Sequence, residues 1–158
     1  MTSRYQIDYE ESFTIDAPCA EVWSTLSNTD AFPEWWRWLR EFTVEGDGLV
    51  RGAVLHGLVV APIPYQMRVD VVVDECDAPR HIEATVHGDL EGHASLTVEP
   101  ESGERGAGRS RVTARWTVEM MQRPMRVAAL VAAPVLRFGH DHVVHATVAE
   151  FRRRVALS

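Results

Sequence analysis

The stretch Arg111–Met120, RVTARWTVEM, alternates without a break: Val112, Ala114, Trp116, Val118 and Met120 fall on one parity, Arg111, Thr113, Arg115, Thr117 and Glu119 on the other. Successive side chains of a strand point to opposite faces, so the pattern predicts a strand with one wet and one buried face. The same rhythm sets Tyr65, Met67, Val69, Val71 and Val73 against Gln66, Arg68, Asp70 and Asp74, and Ile82, Ala84 and Val86 against Glu83, Thr85 and His87. Turn signals at Ala61–Pro64, Asp77–Pro79, Gly88–Gly92 and Pro100–Gly108 divide the run from Leu49 to Met121. Five sequential strands with short connections imply an antiparallel meander.

Upstream, Tyr5 to Ile15 reads as a further half-buried strand, with Ile7, Tyr9, Phe13 and Ile15 on the apolar parity. Pro18 suits a first helical position, Glu21 suits the first turn, and Val22, Trp23 and Leu26 share a face, which predicts a short helix from about Pro18 to Ser27. Asp30 is expected to cap a second short helix carrying Phe32, Trp35 and Trp36, and Gly46 and Gly48 mark the turn after the next strand. Downstream, Met125 to Ala156 has helical spacing through Leu130, Val144, Val148, Phe151 and Val155, with a kink or a break expected near Ala132 to Pro134, a short helix before it and a longer one after. A helix of about thirty residues spans roughly 45 Å, enough to cross the whole sheet.

The fold class is therefore α+β, a helix-grip arrangement: a curved antiparallel sheet of about six to seven strands around a long C-terminal helix, with two short helices after strand one. Intrinsic twist bends a sheet of that width, and a helix with one apolar stripe buries it on the concave side. Small residues on the inward parity, Gly52, Ala84, Ala94 and Ala114, interleave with Met67, Leu96 and Trp116. A space left open by small residues on a concave apolar surface is expected to be a ligand cavity.

At 158 residues the chain is expected to form a single domain, 1–158, with 46% hydrophobic and 25% charged residues. A net charge of −7 disfavours nucleic acid and anionic membrane surfaces, and Arg152, Arg153 and Arg154 read as a cationic last helical turn. All sixteen basic residues are arginine, so a lysine Schiff base is excluded. No apolar run is long enough for a membrane span. The opening MTSRYQIDYEESF lacks the apolar core of a signal peptide, and Cys19 and Cys76 stand far apart, so a cytoplasmic location is expected. The sequence leaves a homodimer open.

The segments DAPCAEVWSTLSN, FPEWWRWLREFTVEGDG, PYQMRVDVVVDECDAPRHI, HGDLEGHASLTVEP and RFGHDHVVHATVAEFRRRV, in this order over nearly the whole chain, resemble the SRPBCC or START-like superfamily, in particular its bacterial polyketide cyclase/dehydrase-type members. That resemblance implies an enclosed cavity with the Trp35, Trp36 and Trp38 region closing one side. It leaves chemistry open, since one fold hosts carriers, receptors and enzymes.

The residues expected to meet a ligand are Trp35, Trp38, Tyr65, Met67, Val69, Trp116, Met120, Leu130, Arg137, His140, Asp141 and Val144. His140, Asp141 and Arg137 are the candidates for acid-base or anion-binding work, because imidazole titrates near neutrality. An Arg137–Asp141 pair is favoured by its i, i+4 spacing, whereas His140 and Asp141 point about 100° apart on a helix and need not touch. His140, His142 and His145 do not meet the HExxH spacing, so neither a metal nor another cofactor is expected. His81, His87 and His93 fall on outward parity, His56 is unassigned, and Cys19 is expected to be an inert thiol. Two functions remain: binding a hydrophobic small molecule such as a lipid, polyketide or polycyclic metabolite, or catalysing aldol cyclisation and dehydration of a polyketide in the same cavity.

Overall fold

The computed structural model describes residues 6–60, 66–101, 108–123, 126–127 and 133–157, with side chains in the last helix described from His140 onward. In order come β1 (Gln6–Ile15), α1 (Cys19–Leu26), a 3-10 turn (Thr29–Ala31), α2 (Phe32–Trp35), β2 (Leu39–Glu45), β3 (Val54–Val60), β4 (Gln66–Asp77), β5 (His81–Gly88), β6 (Leu90–Pro100), β7 (Ser110–Met120) and α3 (Ala133–Leu157). The strands form one antiparallel seven-stranded sheet in the order β1-β7-β6-β5-β4-β3-β2. β2 to β7 is the expected meander, while β1 pairs with β7 in unbroken register from Gln6 opposite Glu119 to Ile15 opposite Ser110. α1 and α2 therefore lie in the connection between the two edge strands. The sheet is curved around α3, whose 25 residues extend about 37 Å.

Local chemistry explains most element ends. Pro18 is the N-cap of α1 rather than its first residue, and its carbonyl accepts the amides of Glu21 and Val22 at 3.0 and 3.1 Å. Asp30 does not cap α2: it sits inside the 3-10 turn, the N-cap is Ala31, and no side chain caps the helix. Pro33 in the first turn of α2 lowers the number of amides needing a partner. Gly46, at φ 109, turns the chain after β2. The expected turn over Gly88–Gly92 is tighter than its glycines suggest, for β6 resumes at Leu90. Asp89 alone bridges, its carboxylate accepting the Arg68 amide at 2.7 Å and its amide donating to the Arg68 carbonyl at 2.9 Å. Gly52 does not face inward from a strand: it lies in the turn before β3 at φ 88. The described part of α3 starts at Ala133 and runs through Pro134, and the break expected near Ala132 to Pro134 borders residues outside the described ones. The shorter helix expected ahead of it falls largely on 124–132, mostly outside the described residues.

Burial follows the parity rule. Met67, Val69, Val73, Ile82, Ala84, Val86, Val112, Val118 and Met120 are all buried. β4 keeps both Val73 and Cys76 on the inner side because its register shifts between Val73 and Glu75. The outer face carries the histidines. His56, opposite Asp70 in the register, bonds its carboxylate at 2.6 Å, which settles its parity as outward and, with that bond as the main cause, holds its pKa above the ordinary value. His81 bonds Thr97 and Glu83 at 2.8 and 2.7 Å, and His87 bonds Glu91 at 3.1 Å, so both are partnered on the surface. No helix among the described residues is long and apolar enough to cross a membrane.

The buried side chains form two clusters. The first joins α1, α2 and the C-terminal half of α3 to one end of the sheet through Val22, Trp23, Phe32, Trp35, Val98, Val112, Phe151 and Val155. The second, Met67, Val69, Val86, Val118 and Met120, lies toward the opposite end of the same face. Each fully buried aliphatic or aromatic side chain contributes about 1.5–3 kcal/mol. Ala84 and Val144 are buried too, at 5% and 8% exposure, yet neither joins either cluster among the described residues.

Candidate functional site

Across the concave face, Tyr9 stands opposite Trp116, Trp116 opposite Ala94, Ala94 opposite Ala84 and Ala84 opposite Val73. One step along, Glu11 stands opposite Ala114, Ala114 opposite Leu96 and Leu96 opposite Ile82. The register thus gathers the small residues into a strip, with methyl groups where neighbouring positions carry large side chains. At the β1 end of that strip the concave face becomes polar.

Five side chains meet there. The Tyr9 hydroxyl donates to Glu11 Oε2 at 2.8 Å, and the Trp116 indole N–H donates to His140 Nε2 at 3.2 Å. An indole N–H can only donate, so Nε2 of His140 holds the lone pair and the proton of the neutral ring sits on Nδ1, 3.4 Å from Asp141 Oδ1. Tyr9 stacks at a tilt on Trp116, with ring centroids 4.9 Å apart, and meets His140 edge-on at 4.6 Å. Burial, reinforced by the Glu11 bond and the charges of Glu11 and Asp141, pushes the Tyr9 phenol up to about 12, so it remains a donor at ordinary pH. His140 and Asp141 do approach each other, although helical geometry does not require it.

Tyr9 and Glu11 were missed as site residues, and one signal was present. Glu11 is a carboxylate on the parity of Ile7, Tyr9, Phe13 and Ile15, the face that must be buried. A charge at such a position needs a partner, and its neighbour two residues back on the same face supplies one.

The tryptophans divide between packing and clamping. Trp35 is 9% exposed and packs in the first cluster against Phe32, Trp36 and Phe151. Trp36 and Trp38 stack at 5.7 Å, and both indoles reach α3 at one residue: Trp36 Nε1 donates to the Thr147 carbonyl at 3.2 Å, Trp38 Nε1 to its hydroxyl at 2.8 Å. The Thr147 hydroxyl donates in turn to the Val143 carbonyl at 2.6 Å. Thr147→Val leaves the Trp38 N–H without its acceptor and is expected to lower unfolding stability by about 1–2 kcal/mol, with Thr147→Ser close to wild type. Equal urea midpoints for Thr147→Val and wild type would remove the clamp.

Of the other expected ligand-contacting residues, Met67, Val69 and Met120 belong to the second cluster, Trp116 packs against it, and Val144 is buried on α3. Tyr65 and Leu130 lie outside the described residues, as does the Arg137 side chain and with it the expected Arg137–Asp141 pair. Cys19 is part-buried and lies 3.4 Å from the Ser110 hydroxyl. Among the described residues no three His, Cys, Asp or Glu side chains are grouped to hold a metal ion.

Two open grooves run between the free edge of β1 and α3. One of about 430 Å³ is lined by Glu11, Phe13, Arg111, His145, Val148 and Arg152, and one of about 450 Å³ by Ile15, Asp16, Arg109, Arg152 and Val155. Their arginines are engaged: Arg111 pairs with Glu101 at 3.1 Å, Arg109 with Asp16 at 2.8 Å, and Arg152 donates to the Thr14 carbonyl at 3.0 Å while lying over the Phe13 ring. The first groove reaches the polar corner from the side through Glu11.

Comparison with known proteins gives a consistent picture. A family model described as polyketide cyclase/dehydrase and lipid transport matches residues 6–156. Among curated proteins none matches the sequence. Similar solved structures include a conserved protein from Geobacillus kaustophilus, at 12% identity and TM-score 0.75 over 96% of this chain and 97% of that one. The Zhui aromatase/cyclase from Streptomyces sp. R1128 superposes at 12% identity and TM-score 0.74 over 96% and 94%. A START superfamily protein from Mycobacterium smegmatis does so at 13% identity and TM-score 0.69 over 95% and 97%. At these identities the likeness is one of fold.

Proposed function

Because this chain belongs to the polyketide cyclase/dehydrase and lipid-transport family, we propose that it acts as a single ligand-binding domain, 1–158, holding a hydrophobic small molecule between the concave face and α3. The ligand is a lipid, a polyketide or another aromatic or polycyclic metabolite. The observation that carries this reading is the interrupted core: two buried clusters on one face, with Ala84 and Val144 buried yet in neither cluster and Ala94, opposite Ala84, packed only against the second. Native packing leaves few voids, so small residues centred on a concave face fit a ligand better than a packing defect. Met67, Val69, Val86 and Met120 supply an apolar wall, and Trp116 and Tyr9 a flat aromatic one.

A matching ligand at about 100 times its dissociation constant adds about 2.7 kcal/mol, a melting-temperature rise of about 5–10 °C at this size. Native mass spectrometry of the purified protein, followed by denaturing extraction, checks for a bound molecule, and thermal shift against lipids, quinones and polyketides checks for binding. No bound mass together with no stabilisation by any of them would overturn the reading.

The second reading, cyclisation and dehydration of a polyketide, is favoured by one feature: Tyr9, Glu11, His140 and Asp141 place acid and base groups beside aromatic walls. In it a carboxylate removes the proton alpha to a ketone, His140 Nδ1–H protonates the oxygen of the attacked carbonyl, and Arg137 neutralises an enolate or carboxylate. Turnover unchanged in both His140→Ala and Asp141→Ala would remove these roles.

A further inference from the structure

We propose that His56 is a pH-sensitive clasp on the β2 edge of the sheet: doubly protonated, its ring ties the end of β2 to β3 and β4, and loss of one proton releases that end. The clasp lies on the outer face, away from the concave surface, so it goes beyond the binding reading above and does not depend on it.

Both ring nitrogens of His56 face carboxylates. Nδ1 lies 2.6 Å from Asp70 Oδ1 on β4, and Nε2 lies 3.5 Å from Glu45 Oε1 on β2. An ionised carboxylate accepts only, so the contact at 2.6 Å keeps a proton on Nδ1 in either state of the ring. The neutral ring then turns the lone pair of Nε2 toward a second carboxylate. Solvent does not reach that lone pair: 34% of the side chain is exposed, but Nε2 itself is covered and has no hydrogen-bond partner. Protonation replaces a lone pair facing an anion by an N–H of an imidazolium facing one, a charge-assisted contact. His81 and His140 are built differently. His81 meets the Thr97 hydroxyl at one nitrogen and Glu83 at the other, and His140 accepts the Trp116 N–H, so each ring is satisfied while neutral.

The position of His56 gives the contact leverage. β2 is an edge strand, and its pairing with β3 shifts register between Arg40 and Thr43, so the run beside His56 consists of Thr43, Val44 and Glu45. Glu45 is the last residue of β2, and the turn that follows it leads to Ala53, which is buried in the first cluster. The other charged groups around His56 are paired. Arg68, on the same face of β4 as Asp70, bonds Glu41 of β2 at 2.9 Å, and His87, opposite Asp70 on β5, bonds Glu91 at 3.1 Å. The Asp70 bond, with the Glu45 charge adding to it against a smaller cost of burial, holds the His56 pKa above 6.5. A pKa raised by folding adds stability that is complete below the unfolded value and is lost as pH rises through the folded one, so the clasp opens on the alkaline side of 6.5.

The test compares the wild-type chain with Glu45→Gln. Glu45 is 73% exposed, so the variant keeps the fold, and the new side-chain amide can donate to Nε2 of the neutral ring. Protonation of the ring nitrogens is followed by NMR from about pH 5.5 to about pH 8.5. Over the same range, hydrogen exchange of the amides of Thr43–Glu45 and Val54–His56 is corrected for the intrinsic rate and referred to amides of β6 and β7. In wild type, Nδ1 is expected to keep its proton throughout while Nε2 loses its own. The relative exchange of the β2 and β3 amides is expected to rise about two- to fivefold across the range, the size of effect that an exposed ion pair exerts. In Glu45→Gln the His56 titration is expected at lower pH, and the relative exchange is expected to stay within about 1.5-fold. A neutral wild-type ring protonated at Nε2, no rise in wild type, or a rise in Glu45→Gln as large as that of wild type would overturn the clasp.

Discussion

Trp35→Ala is expected to lower unfolding stability by about 3–5 kcal/mol, among the largest effects of a single side-chain truncation in this protein. The indole is 9% exposed and touches Phe32 and Trp36 at centroid distances of 5.4 and 5.7 Å, with Phe151 of α3 at 6.5 Å. α2 is only four residues long, too short to hold its conformation by helical hydrogen bonds, so its order comes from what Trp35 buries. Removing the ring leaves a cavity between α2 and α3 that a short loop-bound helix and a long helix cannot both close. Against a typical total of about 5–15 kcal/mol, that loss brings the fold near its limit. Guanidinium denaturation of Trp35→Ala and Trp35→Phe measures it, with the phenyl variant intermediate. A loss below about 1 kcal/mol for the alanine variant would show that Trp35 is not the hub of this cluster.

Gly92→Ala is expected to cost about 3 kcal/mol or more, although it adds a single methyl group. Gly92 lies inside β6 at φ 157, between Val86 of β5 and Val118 of β7 in the register. A Cβ built there would overlap the Thr117 carbonyl oxygen and lie 2.9 Å from both the Thr117 carbonyl carbon and Val118 Cα. Those atoms are backbone of the paired strand and cannot rotate away, so the β6–β7 ladder itself must shift. Gly108→Ala is the control: nothing lies within 4 Å of its added Cβ, and its stability is expected within about 0.5 kcal/mol of wild type. The pair is compared by thermal melts and by hydrogen exchange of β6 and β7 amides. Equal melting temperatures for the two variants would mean that the ladder tolerates the methyl group.

Much of the architecture was legible because it rests on period and punctuation. Alternation in Arg111–Met120 and in the segment through Met67 and Val69 assigned both face and strand, since a one-residue slip would put a charged set into the core. The proline and glycine positions located the early helices and most turns. Details failed where a local signal had two uses. Asp30 reads as a cap but lies in a 3-10 turn, and Gly88 and Gly92 read as one loop although Gly92 serves close strand approach.

The candidate site was only half legible. His140 and Asp141 stood out by residue type, whereas Tyr9 and Glu11, which complete the corner, lie about 130 residues away in the chain. The β1–β7 pairing brings Tyr9 beside Trp116, and the crossing of α3 brings His140 onto both.

By itself the sequence determined the fold class, the inward face of most strands and the absence of lysine chemistry, because these depend on residue type and on spacings of two to four residues. Only the tertiary structure decided that Trp36 and Trp38 grip Thr147, that Trp35 is core, that His140 presents its proton at Nδ1 and that Glu11 faces inward beside Tyr9. Each of these depends on a contact between groups far apart in the chain, and strand register and helix crossing, not local spacing, set which groups meet.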